Sequence, residues 1–202
     1  MALRSADAAR DGDAYALAAI AGWFALAELL IGPSPDVPQI DDWTYAWSVQ
    51  HLLQTGRLEV LSISAVYPVT QILWGALFSL PAGFSFAALR VSTVALAALG
   101  GCACYLALRE LQRSRARALL GAACVACNPV SIVLAHSFMT DVPLVSVSCC
   151  AAYAYARGFA RREPSALWLA VPLCVAAVLV RQVALAIPFA AAVSCWWTRD
   201  RK

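Results

Sequence analysis

Five apolar segments, 87–108, 118–135, 142–156, 166–180 and 183–197, follow one another with only short polar breaks, and two of those breaks are packed with arginine. Arg109, Arg113, Arg115 and Arg117 fill one, and Arg157, Arg161 and Arg162 the other. A chain so patterned has few folds open to it. Inside hydrocarbon every backbone N–H and C=O must be satisfied within its own segment, and runs of this length do so as helices. The composition agrees: 62% of residues are hydrophobic and 13% charged, against about half and a quarter in a soluble domain. The net charge of +3 is segregated along the chain and forms no basic face, so nucleic acid is not an expected partner.

Direction follows from charge. Residues 14–31 are apolar except for Glu28. Ala25-Leu26-Ala27 resembles a signal-peptide cleavage site, but Asp7, Asp11 and Asp13 before it predict a retained span. Glu28 lies near enough to the end of that span to reach the interface, which asks for no function. Residues 69–80, bracketed by Pro68 and Pro81, would cover about 18 Å as a helix, well short of a hydrocarbon core of about 30 Å. With the N-terminus cytoplasmic and 69–80 not crossing, twelve basic residues fall inside and only Arg57, Arg90 and Arg181 outside. Letting 69–80 cross would push the arginines of 109–117 outside, against the positive-inside rule.

The expected fold is all-α, a single polytopic membrane bundle over 1–202. Its spans are 14–31, 87–108, 118–135, 142–156, 166–180 and 183–197, with interfacial helices in an outer loop over 32–86. Membrane lipids are then its neighbours, the plasma (inner) membrane its place, and both termini cytoplasmic. The eight cysteines all lie in apolar segments. Cys124 and Cys127 form a CxxC, but no second pair or nearby histidine completes a zinc site, so the thiols are expected as small apolar fillers and no metal is expected.

Within the outer loop, 40–56 reads IDDWTYAWSVQHLLQTG. As a helix it puts Asp41, Thr44, Ser48, His51 and Thr55 on one polar stripe, opposite Trp43, Tyr45, Ala46, Trp47, Val49, Leu52 and Leu53. That apolar face suits a helix in the membrane–water interface. The six-span topology gathers Asp41, Asp42, His51, Glu59, Arg90, His136, Asp141, Arg181 and Gln182 at the outer ends of different spans. Most have an ordinary structural explanation. Asp41 and Asp141 can cap helices, Arg90 can snorkel, and His136 can be a satisfied interface residue. Arg181 and Gln182 are harder to explain, because they sit in a two-residue turn between apolar segments, where a charge is costly without a partner.

The order Asp41-Asp42-x-x-Tyr45 with Gly56, then Tyr67-Pro68, Leu89-Arg90-Val91, Asn128-Pro129, Thr140-Asp141-Val142-Pro143-Leu144 and Arg181 is similar to a known pattern. It resembles the polyprenol-phosphate-sugar-dependent GT-C glycosyltransferases, in the branch of protein mannosyltransferases and the aminoarabinose transferase of lipid A. The likeness runs over roughly 14–197. The family more often has Asp-Glu where Asp41-Asp42 stands, and often Lys where Arg181 stands. Its members are also longer, so by the resemblance this chain looks like the N-terminal catalytic half, a fragment or a degenerate copy, expected to bind donor but to transfer it inefficiently or not at all alone.

What the resemblance implies is an inverting hexosyl- or pentosyltransferase. A polyprenyl-phosphate sugar enters from the bilayer as donor substrate, and an acceptor (lipid, glycan or protein) comes from the aqueous side. Asp41 would be the general base and Asp42 or Asp141 would orient acceptor or sugar. Arg181, with Arg90, would hold the phosphate, and Tyr45 and His136 would complete the substrate-binding set. No cofactor or metal is required by this chemistry. The rival class is a non-catalytic membrane subunit or a transporter component. A transporter would place its ionisable residues near the midplane and often shows inverted repeats, whereas these residues sit at the rim.

Overall fold

The computed structural model describes residues 2–31 and 36–199; the proline-rich opening at 32–35 and the end of the basic tail lie outside the described residues. The chain forms helices α1 (Ala2–Ile31), α2 (Asp42–Thr55), α3 (Val69–Ser79), α4 (Phe86–Glu110) and α5 (Arg115–Ala126). These are followed by α6 (Pro129–Ala135), α7 (Asp141–Arg161), α8 (Pro164–Val178), a 3-10 turn (Gln182–Leu185) and α9 (Ala186–Arg199). No strand occurs among the described residues. The fold is the expected all-α membrane bundle.

Helix α4 is its centre, packing against α1, α3, α5 and α7, while α8 covers the far side of α7. Two adjacent glycines let it serve two neighbours at once. A Cβ on Gly100 would lie 2.5 Å from the Cα of Ser146 on α7, and one on Gly101 would lie 3.0 Å from the Ile20 side chain on α1. Small residues at a crossing let helix backbones approach closely, which is how helices associate where lipid removes the hydrophobic drive between them. Around that crossing, Ile20, Phe24, Val94, Ala97, Tyr105, Ala118 and Ala122 form one buried cluster with Ala126, Ala135 and Val142, drawn from α1, α4, α5, α6 and the start of α7. Leu29, Trp168 and Phe189 stay more than two-thirds exposed, as side chains facing lipid would.

Among the described residues two helices are long and apolar enough to cross a membrane, Gly12–Ile31 and Phe86–Glu110, with a third if α5 and α6 count as one span. The expected straight span at 118–135 is bent by 59°. The cause is local. Pro129 cannot donate an N–H to the preceding turn, and the Asn128 side chain caps the new helix by accepting from Val130 N at 2.9 Å. Helices α8 and α9, with the 3-10 turn, are shorter apolar elements.

Ion pairs knit one end of the bundle. Asp13 accepts from the Tyr105 hydroxyl at 2.6 Å and from Arg109 Nε at 3.0 Å, and it pairs with Arg115 at 3.3 Å. Arg161 grips Glu110 through two bonds of 2.9 and 2.6 Å, and Arg157 grips Glu163 at 2.8 and 3.3 Å. The Arg157 guanidinium holds the Glu163 carboxyl below its ordinary range. With Asp13 of α1, the end of α4, the start of α5 and the end of α7 meeting here, residues 36–86 lie toward the opposite end.

At that opposite end α2 and α3 lie over α4. The expected polar stripe on α2 is not a solvent face. Asp42, Thr44 and Ser48 are buried with Tyr45, Ala46 and Val49, whereas Asp41, Trp43 and Thr55 are exposed. The reason is a tertiary cover that periodicity does not show: Tyr45, Ala46 and Val49 pack with Ile72 and Ala76 of α3, Leu89 of α4 and Phe138. Helix α3 is tied down by Thr70, whose hydroxyl donates to Ala176 O at 2.8 Å and whose N–H donates to Leu179 O at 3.3 Å.

Candidate active site at one end of the bundle

The segment before α2 is laced to the first turn of α4. Asp36 accepts from Phe86 N at 2.6 Å, so a carboxylate sits at the positive end of that helix. Arg90 donates to Val37 O at 2.5 Å and faces Asp42 Oδ2 at 3.6 Å, with both side chains sealed from solvent. The other Asp42 oxygen accepts from Gln39 N at 2.7 Å, closing a turn in which Ile40 takes the left-handed φ of 53°. A β-branched residue pays a steric penalty there, so the contacts around it hold the turn against its own preference. The result is a division of labour between adjacent carboxylates. Asp42 is internal and paired. Asp41 stands at the N-cap of α2 without a side-chain capping bond, exposed at the surface.

The second acidic position is Asp141, the first residue of α7. Its carboxylate caps nothing; it accepts from Arg181 Nη1 at 2.7 Å, with both side chains about two-fifths exposed. Arg181 precedes the 3-10 turn, in extended backbone between α8 and α9, so the sequence-expected partner for this costly charge is Asp141. One bond to Asp141 leaves most of a guanidinium's five donors for an anion. Asp141 also lines a largely apolar cleft of about 230 Å³ among α1, α6 and α7, with Phe24, Val130, Ser131, Leu134 and Val145.

The six-residue turn 136–141 is where these parts meet. His136 is buried, its Nδ1 2.8 Å from Ile132 O and its Nε2 3.2 Å from Glu28 Oε2 of α1. Phe138 packs into the Tyr45 cluster, and its carbonyl accepts from Gln71 Nε2 at 2.8 Å. Asp141 ends the turn. The structure therefore joins Asp42 with Arg90, Asp141 with Arg181, and His136 with Glu28. Tyr45 is 8% exposed and fixes α2 on its neighbours. His51 stacks on Trp47 and faces Glu59 at 3.2 Å.

Two contributors were not visible in the sequence reading. Glu28, near the end of its span, has Oε2 3.2 Å from His136 Nε2; its signal was being the single acidic side chain in an otherwise apolar run. Gln71 is wholly buried within a short apolar helix and leaves Oε1 without a hydrogen-bond partner. A lone amide in such a helix is the cue that would have found it.

Three pairs, Asp42 with Arg90, Asp141 with Arg181 and His136 with Glu28, thus lie in a helical membrane bundle, and Asp141 and Phe24 line one apolar cleft. The sequence model of the family described as dolichyl-phosphate-mannose-protein mannosyltransferase matches residues 66–202. The chain belongs to that family, of membrane glycosyltransferases of GT-C type, and it is an integral membrane protein. The matched region contains Arg90, His136, Asp141 and Arg181, while Asp41, Asp42 and Tyr45 precede it. No curated protein and no solved structure matches the chain.

Proposed function

We propose that the chain moves a hexosyl or pentosyl unit from a polyprenyl-phosphate donor to an acceptor hydroxyl or amine at the outer membrane face, with inversion. The observation that carries this reading is the Asp141–Arg181 pair at an apolar cleft: a half-exposed guanidinium beside a surface that lipid can enter. The prenyl chain keeps to the apolar side and the phosphate meets Arg181. The acceptor oxygen attacks the anomeric carbon while the bond from that carbon to the phosphate oxygen breaks. The electron pair leaves with the phosphate, which as a good leaving group needs cationic partners and no acid. Asp41, exposed at the start of α2, takes the acceptor proton. Asp42 and Arg90 hold the loop that presents it, and Asp141 orients Arg181 and the sugar.

A photoreactive polyprenyl-phosphate sugar tests the donor site. The native chain in lipid nanodiscs is expected to crosslink, and Arg181→Ala to lose most of the crosslinking while keeping its melting temperature. Crosslinking indifferent to Arg181→Ala would remove Arg181 from the donor site.

The same reading sets the topology: six crossings by α1, α4, α5 with α6, α7, α8, and the 3-10 turn with α9, in the plasma membrane with both termini cytoplasmic. In a background freed of native cysteines, Arg57→Cys and Ser64→Cys are expected to react with an impermeant thiol reagent on sealed cells. Arg113→Cys and Arg162→Cys are expected to stay unlabelled. Labelling at 113 would mean that 69–80 crosses, which moves Asp141 to the cytoplasmic side and sinks the outer-face mechanism.

A further inference from the structure

The pair between α1 and the 136–141 turn has a hydrogen count that the reaction leaves unexplained. A carbonyl oxygen can only accept, so the 2.8 Å contact between His136 Nδ1 and Ile132 O puts a proton on Nδ1. In the neutral ring Nε2 is then an acceptor. It lies 3.2 Å from Glu28 Oε2, which as a carboxylate is also an acceptor, and neither atom has another hydrogen-bond partner or contact with solvent. Two facing lone pairs in a buried site repel, and burying them unmatched is costly. One proton on either atom converts repulsion into a charge-assisted or neutral hydrogen bond.

We infer that Glu28 and His136 share one proton, and that this proton pins the 136–141 turn, with Asp141 at its end, to α1. The inference rests on Asp141 belonging to the proposed donor site, and it makes Glu28 and His136 positioning residues for it. The geometry suits that role. His136 opens the turn and Asp141 closes it, Phe138 between them is fully buried, and Phe24, one helical turn before Glu28, lines the same cleft as Asp141. The other charged groups at this end are Asp36, Asp41, Asp42 with Arg90, Arg57, Asp141 with Arg181, and His51 with Glu59. Without the shared proton the two lone pairs repel and the turn loses its tie to α1.

The chain has two histidines, so selective labelling reads the pair directly. In ¹⁵N-histidine-labelled protein in nanodiscs, the His136 signal (the one lost in His136→Gln) is expected to show a protonated Nδ1 and an Nε2 in a strong hydrogen bond. In Glu28→Gln the amide N–H donates to Nε2 in an ordinary hydrogen bond, so the signal should become that of a plain neutral ring. Hydrogen exchange over 136–141 supplies the positioning readout. Corrected for intrinsic rates, protection should fall several-fold in Glu28→Ala, which has no proton to share, and should stay at the native level in His51→Gln. Glu28→Gln should keep its protection. A His136 ring with bare Nδ1, a signal blind to Glu28→Gln, or native protection retained in Glu28→Ala would each overturn the inference. Neither readout uses the donor, so failure of the donor crosslink and failure of the shared proton are separate results.

Discussion

Asp42→Ala is expected to cost the fold about 3–5 kcal/mol, whereas Asp41→Asn, one residue away, leaves folding intact and abolishes transfer. The first half follows from burial. Asp42 is fully covered and Arg90 nearly so, and removing the carboxylate takes away the charge opposite a buried guanidinium that keeps Val37 O as an acceptor. It also strips the acceptor from Gln39 N, so the turn holding Ile40 in its disfavoured conformation loses a bond. For a chain of this size such a loss lowers the melting temperature by on the order of 10 °C, readable by size exclusion after heating. The second half follows from exposure. Asp41 makes no side-chain capping bond, and Asn would cap as well as Asp if one formed. Folding is therefore indifferent to the change, and only proton transfer suffers, by a factor of about a hundred or more. Asp41→Asn that still turns over donor and acceptor in the complete enzyme would return the residue to the role of a helix start. An Asp42→Ala chain as heat-stable as the native one would mean that Arg90 is satisfied by other groups.

The second large effect is steric. Gly100→Ala places a methyl 2.5 Å from backbone on α7, where no side chain can swing aside. The α4–α7 crossing has to open, at about 1–3 kcal/mol for the first methyl, and Gly100→Val is expected to give no folded protein. Gly22→Ala is the matched comparison. Its Cβ meets nothing within 4 Å, so the exchange should be neutral or slightly stabilising through helix propensity. Equal melting temperatures for Gly100→Ala and Gly22→Ala would show that α4 and α7 do not meet as described.

The helices were legible because hydrophobic runs and arginine clusters are local signals. So was the partnering of Arg181, since a charge between apolar segments announces that it has a partner. The kink at Asn128-Pro129 was present in the motif, yet the apolar run continues through it, and hydropathy cannot see a missing N–H. The separate fates of Asp41 and Asp42 were not legible at all. Adjacent helical residues point about 100° apart, and which of them turns inward is decided by Arg90, far along the chain. The partner of Glu28 was illegible for the same reason: its position near the end of a span says nothing of the distant His136 that it faces.

The two ends of the bundle are also completed at different moments of synthesis. The network of Asp13, Tyr105, Arg109 and Arg115 needs nothing beyond residue 115, and the buried cluster that joins α1 to α4 and α5 needs nothing beyond residue 142. The bond between Asp141 and Arg181 cannot close until α8 has emerged and turned back. Because chains fold from the N-terminus as they are made, a ribosome pausing before residue 181 leaves a bundle already anchored at one end and still open at the rim where the sugar would be handed over.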